Sequence, residues 1–169
     1  LEMMVNNLRA EIVAYLRRVS AHELNSDLSK RLFAYTAQAD DLERLCNHLL
    51  PLADLIRIKR RQRIDFSARA MEELAEIEAM VGANLLDAEI LMANGAAGEK
   101  ERLLQIAQRE ERIDEAVKQA REAHLVRFHQ GVCQAEAGPI FLEMLIHLER
   151  ISDHCQNIAD DAAGLAGSG

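Results

Sequence analysis

The chain has 169 residues and a mass of 18.9 kDa, about the size of one domain, with 49% hydrophobic and 28% charged residues, eight glycines and two prolines. That composition excludes intrinsic disorder, collagen-like repeats and most all-β architectures. Twenty basic against twenty-eight acidic side chains leave a net charge of −8, which argues against a general affinity for nucleic-acid phosphates.

No stretch of Val, Ile or Thr alternates with polar residues between turn dipeptides, so the expected fold class is all-α. The first helix is predicted from Leu1 to about Val19, with Met4, Leu8, Ile12, Tyr15, Leu16 and Val19 at three- and four-residue spacing. Asn25-Ser26-Asp27 supplies capping side chains for a second helix carrying Leu28, Leu32, Tyr35, Ala39, Leu42, Cys46 and Leu49. That helix meets Pro51, where a kink is expected. It closes on the basic run Arg57-Ile58-Lys59-Arg60-Arg61-Gln62-Arg63, whose cations complement the partial negative charge of a helix C-terminus. The same run also suits contact with anionic lipid head groups or a partner.

Asp65 is expected to cap a third helix bearing Phe66, Ala70, Leu74, Ile77, Val81, Ala88 and Leu91, and Asn94-Gly95 ends it. A fourth follows from Gly98 with Leu103, Ile106, Ile113, Val117, Ala120 and Phe128 as its seam, and stops near Gly131. Gly138-Pro139 opens the fifth, with proline in a first turn where its missing donor costs nothing. Long helices with short connections predict an antiparallel long-helix bundle.

The second and fifth helices repeat one another. Asp41-Leu42-Glu43-Arg44-Leu45-Cys46-Asn47-His48 aligns with His147-Leu148-Glu149-Arg150-Ile151-Ser152-Asp153-His154 at an offset of 106 positions, and Asp54 and Asp160 share that offset. Upstream, Tyr15-Leu16-Arg17-Arg18 resembles His124-Leu125-Val126-Arg127. Two copies of a helical hairpin are therefore present, and the second is preceded by a further helix that the first lacks. The chain begins in mid-pattern without an initiator methionine, which reads as a helix removed upstream of Leu1. The expected units are a truncated two-helix bundle over 1–63 and a three-helix bundle with a short tail over 64–169.

On a helical wheel the fifth helix gathers Phe141, Met144, Leu148, Ile151, Cys155, Ile158 and Ala162 on one side, and Glu149, Asp153 and Asp160 on the other. Carboxylates four residues apart repel each other, and a shared oxygen-preferring cation removes the repulsion. From the spacing alone a solvated acidic face is the favoured reading, since E-x-x-x-D is common on helices. Glu43 and Asp54 partly repeat the pattern, but Asn47 stands where the second copy has Asp153, so a weaker first-copy site is expected. Glu110 and Asp114 on the fourth helix form a second pair, with Glu110 at a core-side position. His48 and His154 flank the stripe as hydrogen-bonding residues.

Catalytic constellations are missing. None of the six histidines has Glu three residues before it, as a ferritin-like di-iron centre requires, and there is no Gly-rich phosphate loop, G-x-S-x-G or Cys/His zinc spacing. Cys46, Cys133 and Cys155 are odd in number and unpaired in pattern, which fits a reducing compartment, and no apolar run approaches the roughly 20 residues needed to cross a bilayer.

The peptide Leu148-Glu149-Arg150-Ile151-Ser152-Asp153-His154-Cys155-Gln156-Asn157-Ile158-Ala159 resembles the PhoU-family signature L-E-R-I-G-D-H-x-x-N-I-A. Leu42 to His48 is similar but degraded at Asn47. The resemblance implies tandem three-helix bundles, here with the first helix of the first bundle missing, and a non-enzymatic cytoplasmic role in phosphate uptake. It also implies a surface metal, iron or else Mg, Mn or Zn, held by acidic motifs. That role falls on Glu149 and Asp153, with Glu110, Asp114, Asp160 and Glu43 matching the pattern more loosely.

The spacing of the halves and Glu110-Glu111-Arg112-Ile113-Asp114 also resemble the PhoU-like tail of bacterial sodium/phosphate cotransporters. The partners so implied are a membrane transporter domain at the inner face of the cell membrane, a second copy as a homodimer, and anionic lipid facing Arg57, Lys59, Arg60, Arg61 and Arg63.

Overall fold

The computed structural model describes residues 2–21 and 24–166. Leu1, where the first helix is expected to begin, His22 and the tail from 167 to 169 lie outside the described residues. Five helices follow in order, α1 Glu2–Ser20, α2 Ser26–Gln62, α3 Ala68–Asn94, α4 Lys100–His129 and α5 Ala137–Ala166, with no strand among the described residues.

The helix ends follow local chemistry. The Asn25 side chain accepts the Leu28 N–H at 2.8 Å and starts α2, which runs on through Pro51 and closes at Arg63. Arg63 adopts the left-handed region at φ 52°, and its N–H reaches the carbonyls of Arg60 and Lys59. Gly95 (φ 77°) and Gly131 (φ 70°) take the positive dihedrals that end α3 and follow α4, and Pro139 lies in the first turn of α5. One cap differs from expectation. Ser67, not Asp65, accepts the Ala70 N–H and begins α3, because Phe66 between them turns edge-on to the buried Phe141 ring, 5.5 Å away.

Neighbouring helices in the chain run antiparallel, and α5 is the central one, packed on α2, α3 and α4. Its seam residues Phe141, Met144, Leu148, Ile151, Cys155, Ile158 and Ala162 are all buried as the periodicity predicts. So are Ser152, which faces α3, and His154, which faces α2. Leu45 and Leu55 of α2 join Leu74, Ile77, Ile113, Val117 and the α5 residues in one core, while Leu91, Ala96, Ile106, Ala159 and Ala162 form a smaller cluster. On α3 and α5 the buried amide of Asn84 donates to the Ser152 hydroxyl at 3.0 Å.

The expected seams of α1 and α2 need correction. α1 packs on α2 alone and buries no residue, leaving Met4, Leu8 and Tyr15 exposed. On α2 the buried face is Ala34, Gln38, Ala39, Asp41, Leu45 and Leu55, and Leu28, Tyr35, Leu42 and Leu49 are exposed. The buried face of the helix mixes small and polar residues with Leu45 and Leu55, so most of its other large apolar side chains do not mark the contact. Phe128, expected in the α4 seam, is likewise exposed near the helix end.

Stability should follow this distribution. Phe141→Ala empties a fully enclosed position and is expected to cost about 3–5 kcal/mol in urea unfolding, whereas Leu8→Ala, on the exposed face of α1, costs less than about 1 kcal/mol.

Candidate functional site

Glu110 and Asp114 lie one turn apart on α4, and the antiparallel crossing of α4 on α5 brings Asp153 against them. One carboxylate oxygen from each of the three falls within 4.8 Å of the others. Glu110 and Asp153 are half-buried and Asp114 is exposed, so the group sits at the rim of the α4–α5 contact. Burial raises the Glu110 carboxyl above its ordinary value, and Asp114, Asp153, Glu111 and Asp160 push it further the same way. Asp114 is raised by burial and by Asp153, against the opposing pull of Arg150 and Arg121. Arg150 donates to Asp153 at 2.8 Å.

The other predicted carboxylates are distributed differently. Glu149, one turn before Asp153, accepts from Arg121 of α4 at 2.6 Å. In the first copy the equivalent Glu43 is held by Arg9 of α1 at 3.0 Å, and Arg9 also binds Asp40. An arginine from the preceding helix thus clamps the motif glutamate in both copies. Asp160 is exposed and accepts from Gln156 at 2.8 Å, and Asp54 pairs with Arg57. The structure therefore gathers Glu110, Asp114 and Asp153 into one group and leaves Glu149, Asp160 and Glu43 beside or away from it.

The seam between α2 and α5 carries a second polar constellation that wheel reasoning reduced to flanking residues. The buried His154 bonds Asp41 through Nδ1 at 2.8 Å, and Asn157 also donates to Asp41 at 3.3 Å. The Nδ1 atoms of His48 and His147 are 3.1 Å apart, and His48 stacks on His154 with ring centroids at 5.6 Å. His48 and His154 are equivalent in the repeat, as are Asp41 and His147. The two contacts are thus the same contact made in both directions, and the sequence signal for it is the repeat itself. Burial, the two neighbouring histidines and Arg150 lower the His48 pKa, opposed by Asp153.

The remaining groups are less promising as chemistry. Burial pushes the Cys155 thiol up to about 12, which makes it inert, and Cys46 is raised for the same reason. At the end of α2, Arg57, Arg60, Arg61 and Arg63 are exposed while Lys59 lies over the Phe66 ring at 4.8 Å from its centroid. None of the described helices is long and apolar enough to cross a membrane.

The PhoU domain model matches residues 69–162, from the first turn of α3 to the last part of α5, which is more than half of the chain. No curated protein and no solved structure matches the chain at a significant level.

The raised carboxyls carry a pH signature. A raised pKa means that the ionised form is less favourable in the folded than in the unfolded chain, so the penalty is absent below the unfolded values, near about 4, and complete above the folded ones. In metal-free buffer Glu110→Gln and Asp114→Asn should therefore each raise Tm at pH 7, and the gain should vanish as the pH falls below about 4. A lower Tm for both variants at pH 7 would contradict the assignment.

Proposed function

The chain belongs to the PhoU domain family, and on that basis we propose that it is a non-enzymatic regulatory domain in inorganic phosphate transport that binds a cation through Glu110, Asp114 and Asp153. The observation that carries the cation reading is the convergence of three carboxylates from two helices within the family-matched segment. An all-oxygen donor set of this kind fits a hard ion such as Mg, Mn or ferric iron better than one that prefers sulfur or nitrogen. When bound, the ion would supply positive charge where burial and mutual repulsion hold two carboxyls above their ordinary range. The residues themselves position the site: Arg121 holds Glu149 aside, and Arg150 restrains Asp153.

The finer setting is the cytoplasmic domain of a sodium/phosphate cotransporter-type protein, at the inner face of the membrane. Support for it comes from the motif spacing and from the exposed cations at the end of α2, which suit anionic lipid. A free-standing regulator of phosphate uptake has the same support from the family match, and the sequence of the full-length gene product separates the two.

Three experiments test the reading. After chelator treatment, Mn²⁺ at about tenfold above Kd should raise Tm by about 3 °C, and the combined Glu110→Gln, Asp114→Asn and Asp153→Asn variant should lose the rise. In cells, deleting this domain should remove the response of phosphate uptake to external phosphate, and an unchanged response would end the phosphate-transport reading. Binding to anionic vesicles should fall at least about tenfold in a Lys59→Glu, Arg60→Glu, Arg61→Glu variant, each charge near the surface being worth about 1 kcal/mol. Equal binding would remove the lipid contact.

A further inference from the structure

We propose that His48 and His147 form a second cation site, selective for a borderline transition-metal ion such as Zn²⁺ or Ni²⁺, which ties the two copies of the repeat together. The Nδ1 atoms approach to 3.1 Å from two different helices. Two nitrogens bound to one tetrahedral zinc at its usual bond length stand about 3.3 Å apart, so the pair is spaced as two ligands of one ion without rearrangement of the backbone. Both rings are half-buried, which leaves a solvent side for entry and for water to complete the coordination.

The contrast with the equivalent contact carries the argument further. Where His154 meets Asp41, a carboxylate accepts the Nδ1–H and fixes the ring. At the other end of the same seam His147 replaces that carboxylate, and two imidazoles face each other through the same atom. One of them must donate its Nδ1 proton to the other. The Nε2 of His147 is meanwhile buried with no hydrogen-bond partner, so no hydrogen bond at that atom selects the tautomer.

A metal ion accepts a lone pair from each Nδ1. Both rings then carry their proton on Nε2, the former donor ring changing tautomer through solvent, with no net proton release and no redox change. His154 stacks on His48 and is itself held by Asp41, whose carboxylate also accepts from Asn157, and this keeps the His48 ring oriented. Arg150 and Asp153 act on His48 with opposite sign. Nitrogen donors select Zn, Ni or Cu over Mg or Ca, so the site is chemically separate from the carboxylate cluster.

The test uses the full chain carrying Glu110→Gln and Asp114→Asn, so that failure of the carboxylate reading leaves it intact. In that background Zn²⁺ at about tenfold above Kd should raise Tm by about 3 °C, and Mg²⁺ should not. Zinc should shift the side-chain ¹⁵Nδ1 resonances of His48 and His147 together. Adding either His48→Gln or His147→Gln should abolish the zinc-dependent rise, each variant being compared with itself in the presence and absence of zinc so that its own stability cancels. If His147→Gln does not fold, His48→Gln carries the comparison. A zinc response that survives in His48→Gln, or that fails to appear in the carboxylate-neutralised parent, overturns the proposal.

Discussion

The rest of the molecule depends on the antiparallel packing of α2 against α5, one copy of a repeated helix laid on the other. Because the copies carry matching residues, the seam has an approximate twofold relation: His48 meets His147 and His154 meets Asp41. This contact joins the α1–α2 hairpin to the three-helix unit and places Leu45 and Leu55 in the same core as Ile151 and Cys155. It also explains why α5 is buried on several sides while α1 buries nothing, since α1 reaches the core only through α2.

Electrostatic order follows from that arrangement. Each motif glutamate faces the helix before it and is neutralised by an arginine, Arg9 in one copy and Arg121 in the other. Asp87 is held by both Arg102 and Arg109, and Glu73 by a two-pronged contact with Arg127 at 2.9 and 2.7 Å, tying α3 to α4. The Glu110, Asp114 and Asp153 group is different in kind, because carboxylates there outnumber the arginines that reach them. Its raised carboxyls record that imbalance.

Much of the local structure was legible in the sequence. Asn25, Gly95, Gly131 and Pro139 mark helix ends by backbone chemistry that acts over a few residues, and the α3 and α5 seams follow a strong apolar period. The PhoU resemblance rests on Leu148 to Ala159, and the family match spans that segment. What periodicity missed depends on register between helices. Nothing in the spacing of α5 alone separates Glu149, which Arg121 claims, from Asp153, which joins Glu110 and Asp114. The choice of Ser67 over Asp65 likewise turns on where Phe66 packs, and the α2 face on Gln38 and Asp41, polar residues that an apolar count passes over.

The hydrogen bond from Asn84 to Ser152 sets a further limit on what the bundle can do. Its amide is fully enclosed, and the Asn84 carbonyl oxygen already lacks a partner. Sliding α3 along α5 by one turn, about 5.4 Å, would strand the remaining polar atoms in hydrocarbon. The two parallel helices therefore favour their present alignment, held by a polar latch inside an oily interior. A signal passed between α3 and α5 is cheaper as a tilt or separation of the helices than as an axial slip, which would break this bond and leave buried polar atoms costing about 1–3 kcal/mol each.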